Sequence, residues 1–408
     1  MSGPARHAEA ESSRTRILVV CTRYIGDTLL AVPFLRNLRR AHPDAVIDVC
    51  AEGGARAVLA ACPHVDELLA WTRPPRQRRR GIAGAISALA AEAAWLRSRR
   101  YTKAYLLKPS LSAAFLATLA GIPRRIGFAG ESSPLLTRRV RRRRGRHQVE
   151  TYLDLLRVEG HAIDDGHNEH WITPESARRV GTLVNRMPSG RPRVLLALRS
   201  TDVKKHWHPD RWRRLVNWLV TDRACEVVLC GGPADMIAHE ELREAVGPGV
   251  AAHVHDLSES VSLSDAAALA ARMDLCVGVD TGLVHLAASV GMPVVVLFGP
   301  TDPHRWAPWQ TPSAVLRADV ARPSLAARLL AAAGGTTAAG GAAGRGCIDD
   351  IPYDAVAASV EAFLAARPVF QTLDLTRGSF RYEVVAGPVV PAASGPAVAA
   401  PAAAASAD

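Results

Sequence analysis

The sequence predicts an α/β protein of two parallel-sheet domains with a cleft between them, and three observations carry that expectation. Residues 274–309 read as a βαβ unit. An apolar run at 275–279 is short enough for a buried strand, and it breaks at Asp280, Thr281 and Gly282. A helical pattern follows at Leu283, Leu286, Ala287 and Val290, Gly291 and Pro293 stop it, and a second buried strand fills 294–298. Residues 16–38 repeat the strand, glycine turn and helix. Finally, the 408 residues exceed one ordinary core, given roughly 100 to 200 residues per domain, and Pro188, Gly190 and Pro192 supply a hinge.

Composition narrows the class. A chain 48% hydrophobic and 22% charged is globular, and a formal charge of +11 points to an anionic partner. The seven cysteines form no CxxC pair and fall mostly in apolar runs, as reduced core residues of a cytoplasmic protein do. Residues 1–15 are polar, without the apolar stretch of a signal peptide. No charge-free apolar run reaches the ~18 residues of a membrane span.

In the first half, strands are expected at 16–21, 46–50, 67–71 and 104–107, and helices at 55–61, 82–100, 112–120 and 147–160. Pro33 is tolerable only near a helix start, so the first long helix should begin near Leu30, with Asp27 at or just before its N-terminus. Two readings of Asp27 stand at this point: an N-cap, which would keep its pKa low, or a cleft-facing base. Lys108 lies at another strand tip. Residues 73–80 and 138–146 are basic runs, the second with seven arginines in nine residues. Such a run is a solvated loop or a contact for anionic lipid headgroups or a phosphorylated acceptor. Nucleic acid is disfavoured, because no aromatic interleaving, zinc-finger spacing or RNA-binding signature accompanies the charge. His167 and His170 sit in a polar connection and read as surface rather than metal ligands.

The second half begins after a linking helix at 174–186. A strand at 194–198 leads into Ser200, Thr201 and Lys205, two hydroxyls and a lysine that make a phosphate grip. A helix at 209–221 and a strand at 226–229 precede a glycine turn, Gly231 to Asp235, whose acidic residue can accept from ribose hydroxyls. At Asp280, Thr281 and Gly282 the strand meets a helix start, where open α/β sheets bind ligands and free N–H groups attract phosphate. His285 lies one turn on. Asp280 either caps that helix or faces the ligand.

Together these motifs resemble glycosyltransferase family 9, the ADP-heptose:lipopolysaccharide heptosyltransferases. The resemblance rests on Tyr24-Ile25-Gly26-Asp27-Thr28, Arg125-Ile126-Gly127-Phe128, His147 before a YLxLL helix, Lys205-His206-Trp207, the Gly231-Gly232-Pro233-Ala234-Asp235 turn, and the run from Asp280 to Ala288 with Phe298-Gly299-Pro300-Thr301-Asp302-Pro303. It spans about residues 16–366 and implies the GT-B architecture of two facing Rossmann-like domains. With the composition of the termini and the hinge, the expected layout is a disordered start at 1–15, an acceptor domain at 16–187, a nucleotide-sugar domain at 188–347, a helix at 348–366 packing back on the first domain, and a disordered tail at 367–408.

By that resemblance Asp27 is the general base of an inverting transfer. Ser200, Thr201, Lys205, Asp235, Asp280, Thr281, Gly282 and His285 bind an ADP-heptose-like donor, and Lys108 and Arg125 serve a lipid-linked or cell-surface glycan acceptor. No cofactor or metal is expected: a donor-loop Asp-x-Asp is lacking, and a lysine with a helix dipole can neutralise a diphosphate. Peripheral contact with an anionic membrane surface follows from the basic first domain. The rival readings are a GT-B nucleotide-sugar epimerase and a non-enzymatic polyanion binder.

Overall fold

The computed structural model describes residues 15–21, 23–70, 82–317 and 347–365, and the backbone of two short strands beyond. The basic run at 73–80, residues 1–14 of the expected disordered start and the Ala/Gly-rich stretch at 324–346 lie outside these residues.

Each apolar run becomes a strand, and the strands assemble into two sheets. The first contains β1 (Arg16–Val20), β2 (Val46–Ala51), β3 (Glu67–Ala70), β4 (Lys103–Leu106), β5 (Arg124–Phe128) and β6 (Arg138–Val140), all parallel, in the order β3-β2-β1-β4-β5-β6. The second contains β7 (Arg193–Ala197), β8 (Glu226–Leu229), β9 (Val254–Asp256), β10 (Leu275–Val279), β11 (Val294–Phe298) and β12 (Ser313–Arg317), and repeats that order as β9-β8-β7-β10-β11-β12. In each sheet the order reverses between the first and fourth strands. A crevice opens there at the strands' carboxyl ends, and the two crevices face each other.

Helices cover both faces of each sheet, as parallel strands buried on both sides require. In the first domain, α1 (Ile25–Leu29) is followed by a break at Leu30 and Ala31 and then by α2 (Val32–Ala41), which buries Phe34, Leu35 and Leu38. Pro33 takes a first-turn position in α2, as its missing N–H demands. The expected single helix from Leu30 is therefore two, and Asp27 lies inside α1 rather than at its cap. After α3 (Gly54–Leu59), α4 (Ile82–Ser98) and α5 (Leu111–Leu119), α6 (Gln148–Arg157) closes this domain, and the second domain includes α8 (Pro209–Thr221), α10 (Pro248–Ala251) and α13 (Pro303–Trp306) besides the helices named below.

Three expectations on the layout are corrected. The linking helix, α7 (Pro174–Val184), already packs on the second domain, against α11 (Leu263–Ala270). Arg179 reaches the buried Asp265 carboxylate across that contact, and Arg272 donates to the Ala177 carbonyl at 2.8 Å. The connection at 164–169 still docks on Arg36 and Asn37 of the first domain, so the chain changes domain before α7 and not at Pro188. The C-terminal helix, now α14 (Tyr353–Ala365), packs on the second domain as well. Its stripe of Val356, Val360 and Phe363 joins Trp207, Val277, Val295 and Leu297 in one cluster, and the Trp207 indole N–H donates to the Ile351 carbonyl at 3.0 Å. Covering the apolar face of β10 to β12 demands a helix there. Lastly, the tail carries two strands, β13 (Thr372–Thr376) and β14 (Glu383–Val385), which extend the second sheet where only disorder is expected; the alternation of Leu373 and Leu375 with polar neighbours is a strand period.

The placement of α14 is testable. Val360→Asp puts an unpaired carboxylate into a fully buried position, at about 3 kcal/mol or more and so roughly 10 °C in melting temperature. Amide exchange should show β10 and β11 losing protection while β1 and β2 keep theirs.

Candidate active site

The second domain's crevice is built around Asp280, one residue beyond the end of β10 and 6% exposed. Its Oδ2 accepts from Lys205 Nζ at 2.7 Å and from Thr301 Oγ1 at 2.6 Å, and its Oδ1 lies 3.6 Å from His285 Nε2. Burial pushes its pKa up, but the bonds and charges of His285 and Lys205 outweigh that and hold it down at about 2. Asp280 does not cap α12 (Gly282–Ser289), whose N-cap is Thr281 without a side-chain cap bond. It is a fixed anion that aims Lys205, delivered by a 3-10 turn after β7.

In front of this cluster lies a cavity of about 720 Å³, the size of a small-molecule site. Ser200, Thr201, Asp235, Thr281 and Gly282 line it, as expected from the sequence, while Lys205, Asp280 and His285 form the cluster beside it. Asp235 accepts from Gly232 N–H at 2.8 Å and so also shapes its own turn.

The first domain closes the cavity with Ile25. A Cβ on Gly282 would stand 2.8 Å from Ile25 Cβ, and one on Gly26 would stand 2.7 Å from His285 Cδ2. Real Cβ contacts are never that short, so each domain presents a glycine where the other sends a side chain. Gly282 thus serves the domain contact first.

Asp27 sits next to this contact, half-buried, in an α1 capped by Tyr24 with no side-chain cap bond. Among the described residues it has no hydrogen bond or ion pair. Burial raises its pKa, and His285, Lys108 and Arg305 pull it back only in part. A capping role would have lowered it, so that reading fails. Lys108, at the carboxyl end of β4, lies 5.9 Å from the Tyr24 ring centroid and acts on Asp27.

Arg125 is not brought to the site. It lies near the amino end of β5, opposite the crevice, and its guanidinium donates to the carbonyls of Leu135 and Ile122. Two other arginines were missed. Arg305 acts on Asp27 and crosses the domain boundary to donate to Gln148 Oε1 at 2.8 Å. Arg142 folds back from the basic run onto the Phe128 ring, 4.7 Å from its centroid, and its charge couples to Arg305 and Asp27. Beside Arg305, His147 bonds the Ala307 carbonyl at 2.9 Å and stacks on Trp309 at 4.4 Å, and burial pushes its pKa down to about 4. The sequence signal was Arg305 at the head of the stretch Trp306-Ala307-Pro308-Trp309, a lone cation among residues that pack partly buried against the core.

A family model described as "Glycosyltransferase family 9 (heptosyltransferase)" matches residues 91–327. The chain belongs to glycosyltransferase family 9. Among relatives of this glycosyltransferase, lipopolysaccharide heptosyltransferase 2 of Escherichia coli (strain K12) is 28% identical over 321 residues, covering 74% of this chain and 88% of that protein. The structure of E. coli ADP-heptose LPS heptosyltransferase II matches with a TM-score of 0.68 at 24% identity, over 86% of this chain and 99% of that one. E. coli heptosyltransferase WaaC with ADP matches with a TM-score of 0.58 at 21% identity, over 75% and 94%. These two structures establish the shared GT-B fold of facing sheets.

The domain contact gives a prediction for this glycosyltransferase. Gly282→Ala should lower turnover by forcing Ile25 away, and Ile25→Ala in the same chain should restore part of it. A double-mutant cycle should show a favourable coupling of about 0.5 to 3 kcal/mol; strictly additive effects would mean that the two residues do not meet during catalysis.

Proposed function

We propose that this enzyme transfers a heptose, with inversion, from an ADP-activated donor to a lipopolysaccharide core or related cell-surface glycan, with Asp27 as general base. The relatives' names, lipopolysaccharide heptosyltransferase 1, 2 and 3, support the sugar and the acceptor class, and the ADP in the WaaC structure supports the nucleotide. The single observation that carries the mechanism is a half-buried carboxylate, without a hydrogen-bond or ion-pair partner among the described residues and raised by burial, that lies within the field of His285 and Arg305 of the opposite domain.

In the reaction the acceptor oxygen attacks the anomeric carbon as the bond from that carbon to the diphosphate oxygen breaks. The acceptor's proton passes to Asp27. Lys205 and the N–H groups of Thr281 and Gly282 take up the charge developing on ADP, while Ser200 and Thr201 bind its phosphates. Asp235 holds the ribose, and Asp280, while it fixes Lys205 for the diphosphate, meets the hydroxyls of the transferred sugar. Lys108 faces the acceptor.

Asp27→Asn decides the assignment of the base. The amide cannot take a proton, so turnover should fall by about 10² to 10⁴-fold with ADP affinity retained. The folded-state pKa of Asp27 is raised, so its ionisation opposes folding: the penalty is absent below the unfolded pKa and complete above the folded one. At neutral pH Asp27→Asn should therefore melt no lower than wild type. Turnover within threefold of wild type would remove Asp27 from the mechanism.

Among the described residues no helix is long and apolar enough to cross a membrane, and the exposed arginines beside β6 suit peripheral contact with anionic lipid. Arg146 is engaged by Glu150 and Asp154, and Arg142 by Phe128. Arg139, Arg141, Arg143 and Arg144 are left to face outward. Replacing these four by Gln should weaken binding to anionic liposomes and flatten its salt dependence without changing ADP affinity. Equal binding by both proteins at low and high salt would make them plain solvated surface.

A further inference from the structure

The far end of the cavity carries a cluster that the phosphate and sugar chemistry does not use. His239, on α9 (Met236–Ala245), is 1% exposed and lines the cavity. Its Nδ1 lies 3.3 Å from both carboxylate oxygens of Asp256, the last residue of β9, and 3.1 Å from Ser258 Oγ. Ser258, which also lines the cavity, donates to Asp256 Oδ1 from its hydroxyl at 2.6 Å and from its backbone N–H at 3.0 Å. Asp256 is thereby held as a carboxylate, an acceptor only. The hydrogen of a neutral His239 ring must then sit on Nδ1, which leaves Nε2 as an acceptor. Among the described residues no protein group bonds Nε2.

Position in the sheet says what this acceptor meets. A diphosphate at the reversal point between β7 and β10 sends its nucleoside outward over β8 and then β9. Asp235 follows β8, where a ribose falls. His239 and Ser258 stand by β9, two strand spacings or about 10 Å from the reversal point, within reach of the base of an extended nucleotide. Cys230, Val261 and Ala266 give this end of the cavity apolar walls.

We propose that His239, oriented by Asp256 and Ser258, is a specificity-determining residue that accepts a hydrogen bond from the exocyclic amine of the donor's base, and so selects a 6-amino purine over a 6-oxo purine. The proposal rests on the reading of the cavity as an ADP site. Asp256 and Ser258 act through His239 as positioning residues.

The test is calorimetric titration of the full chain with ADP and with inosine diphosphate, which differ at that amine. Wild type should prefer ADP by roughly tenfold or more, the effect of one hydrogen bond lost with its partner left unpaired. His239→Ala should lose the preference while keeping its affinity for inorganic pyrophosphate. Asp256→Asn can donate to Nδ1 and move the ring hydrogen to Nε2, so its preference should fall toward or below one. That reversal is not expected of a merely structural role, and it keeps the proposal testable if His239→Ala melts early. An ADP preference unchanged in both variants overturns the proposal and leaves the ADP reading standing. So does a variant that loses only discrimination against 2′-deoxy-ADP, which would place a ribose hydroxyl at Nε2. A wild type that binds neither diphosphate overturns both.

Discussion

The structure depends on one buried charge. Asp280 ties together three segments that meet where the second sheet reverses its strand order: the loop after β7 through Lys205, the loop after β11 through Thr301, and α12 through His285. Removing Lys205 would leave this carboxylate without its ammonium partner in a site 6% exposed, a far larger penalty than the loss of a surface ion pair. The same carboxylate fixes the ring that meets Gly26 of the first domain. The Lys205 cluster and the domain contact therefore share one anchor, and Asp27 follows Gly26 in the chain.

Facing it is a second carboxylate with the opposite electrostatic fate. Asp280 is paired on every side and titrates near 2. Asp27 is desolvated, unpaired among the described residues, and raised. Two carboxylates are pushed apart by their surroundings: one remains an anion that holds cations in place, and the other is the one that takes the acceptor's proton in the mechanism we propose. The cations around Asp27, Lys108 and Arg305 with Arg142 beyond, keep it ionisable without binding it.

Much of this was legible in the sequence because it is local. The strands 275–279, 294–298 and 226–229 and the helix 209–221 lie where apolar runs and their Gly and Pro boundaries place them, and Ser200, Thr201, Asp235, Thr281 and Gly282 line the cavity because a strand followed by a turn and helix fixes where its turn points. What sequence reasoning missed is tertiary. An apolar stripe such as Val356, Val360 and Phe363 says that a helix is buried but not against which sheet. Arg125 sits in a recognisable motif, yet only strand direction shows that it lies at the wrong end of β5. Arg142, Arg305 and His239 have no local signature, because their partners, Phe128, Gln148 and Asp256, lie 14, 157 and 17 residues away. Asp27 was ambiguous for the same reason: a Gly-Asp before a helix suits a cap equally well until the real cap, Tyr24, is located.

The division between the two carboxylates is the central claim, and carbon-13 NMR titration of the labelled aspartate side chains in the free enzyme tests it most directly. The account predicts that Asp27 titrates above the ordinary aspartate range and Asp280 near 2. Asp27 titrating at or below the ordinary range, in step with Asp280, would contradict it.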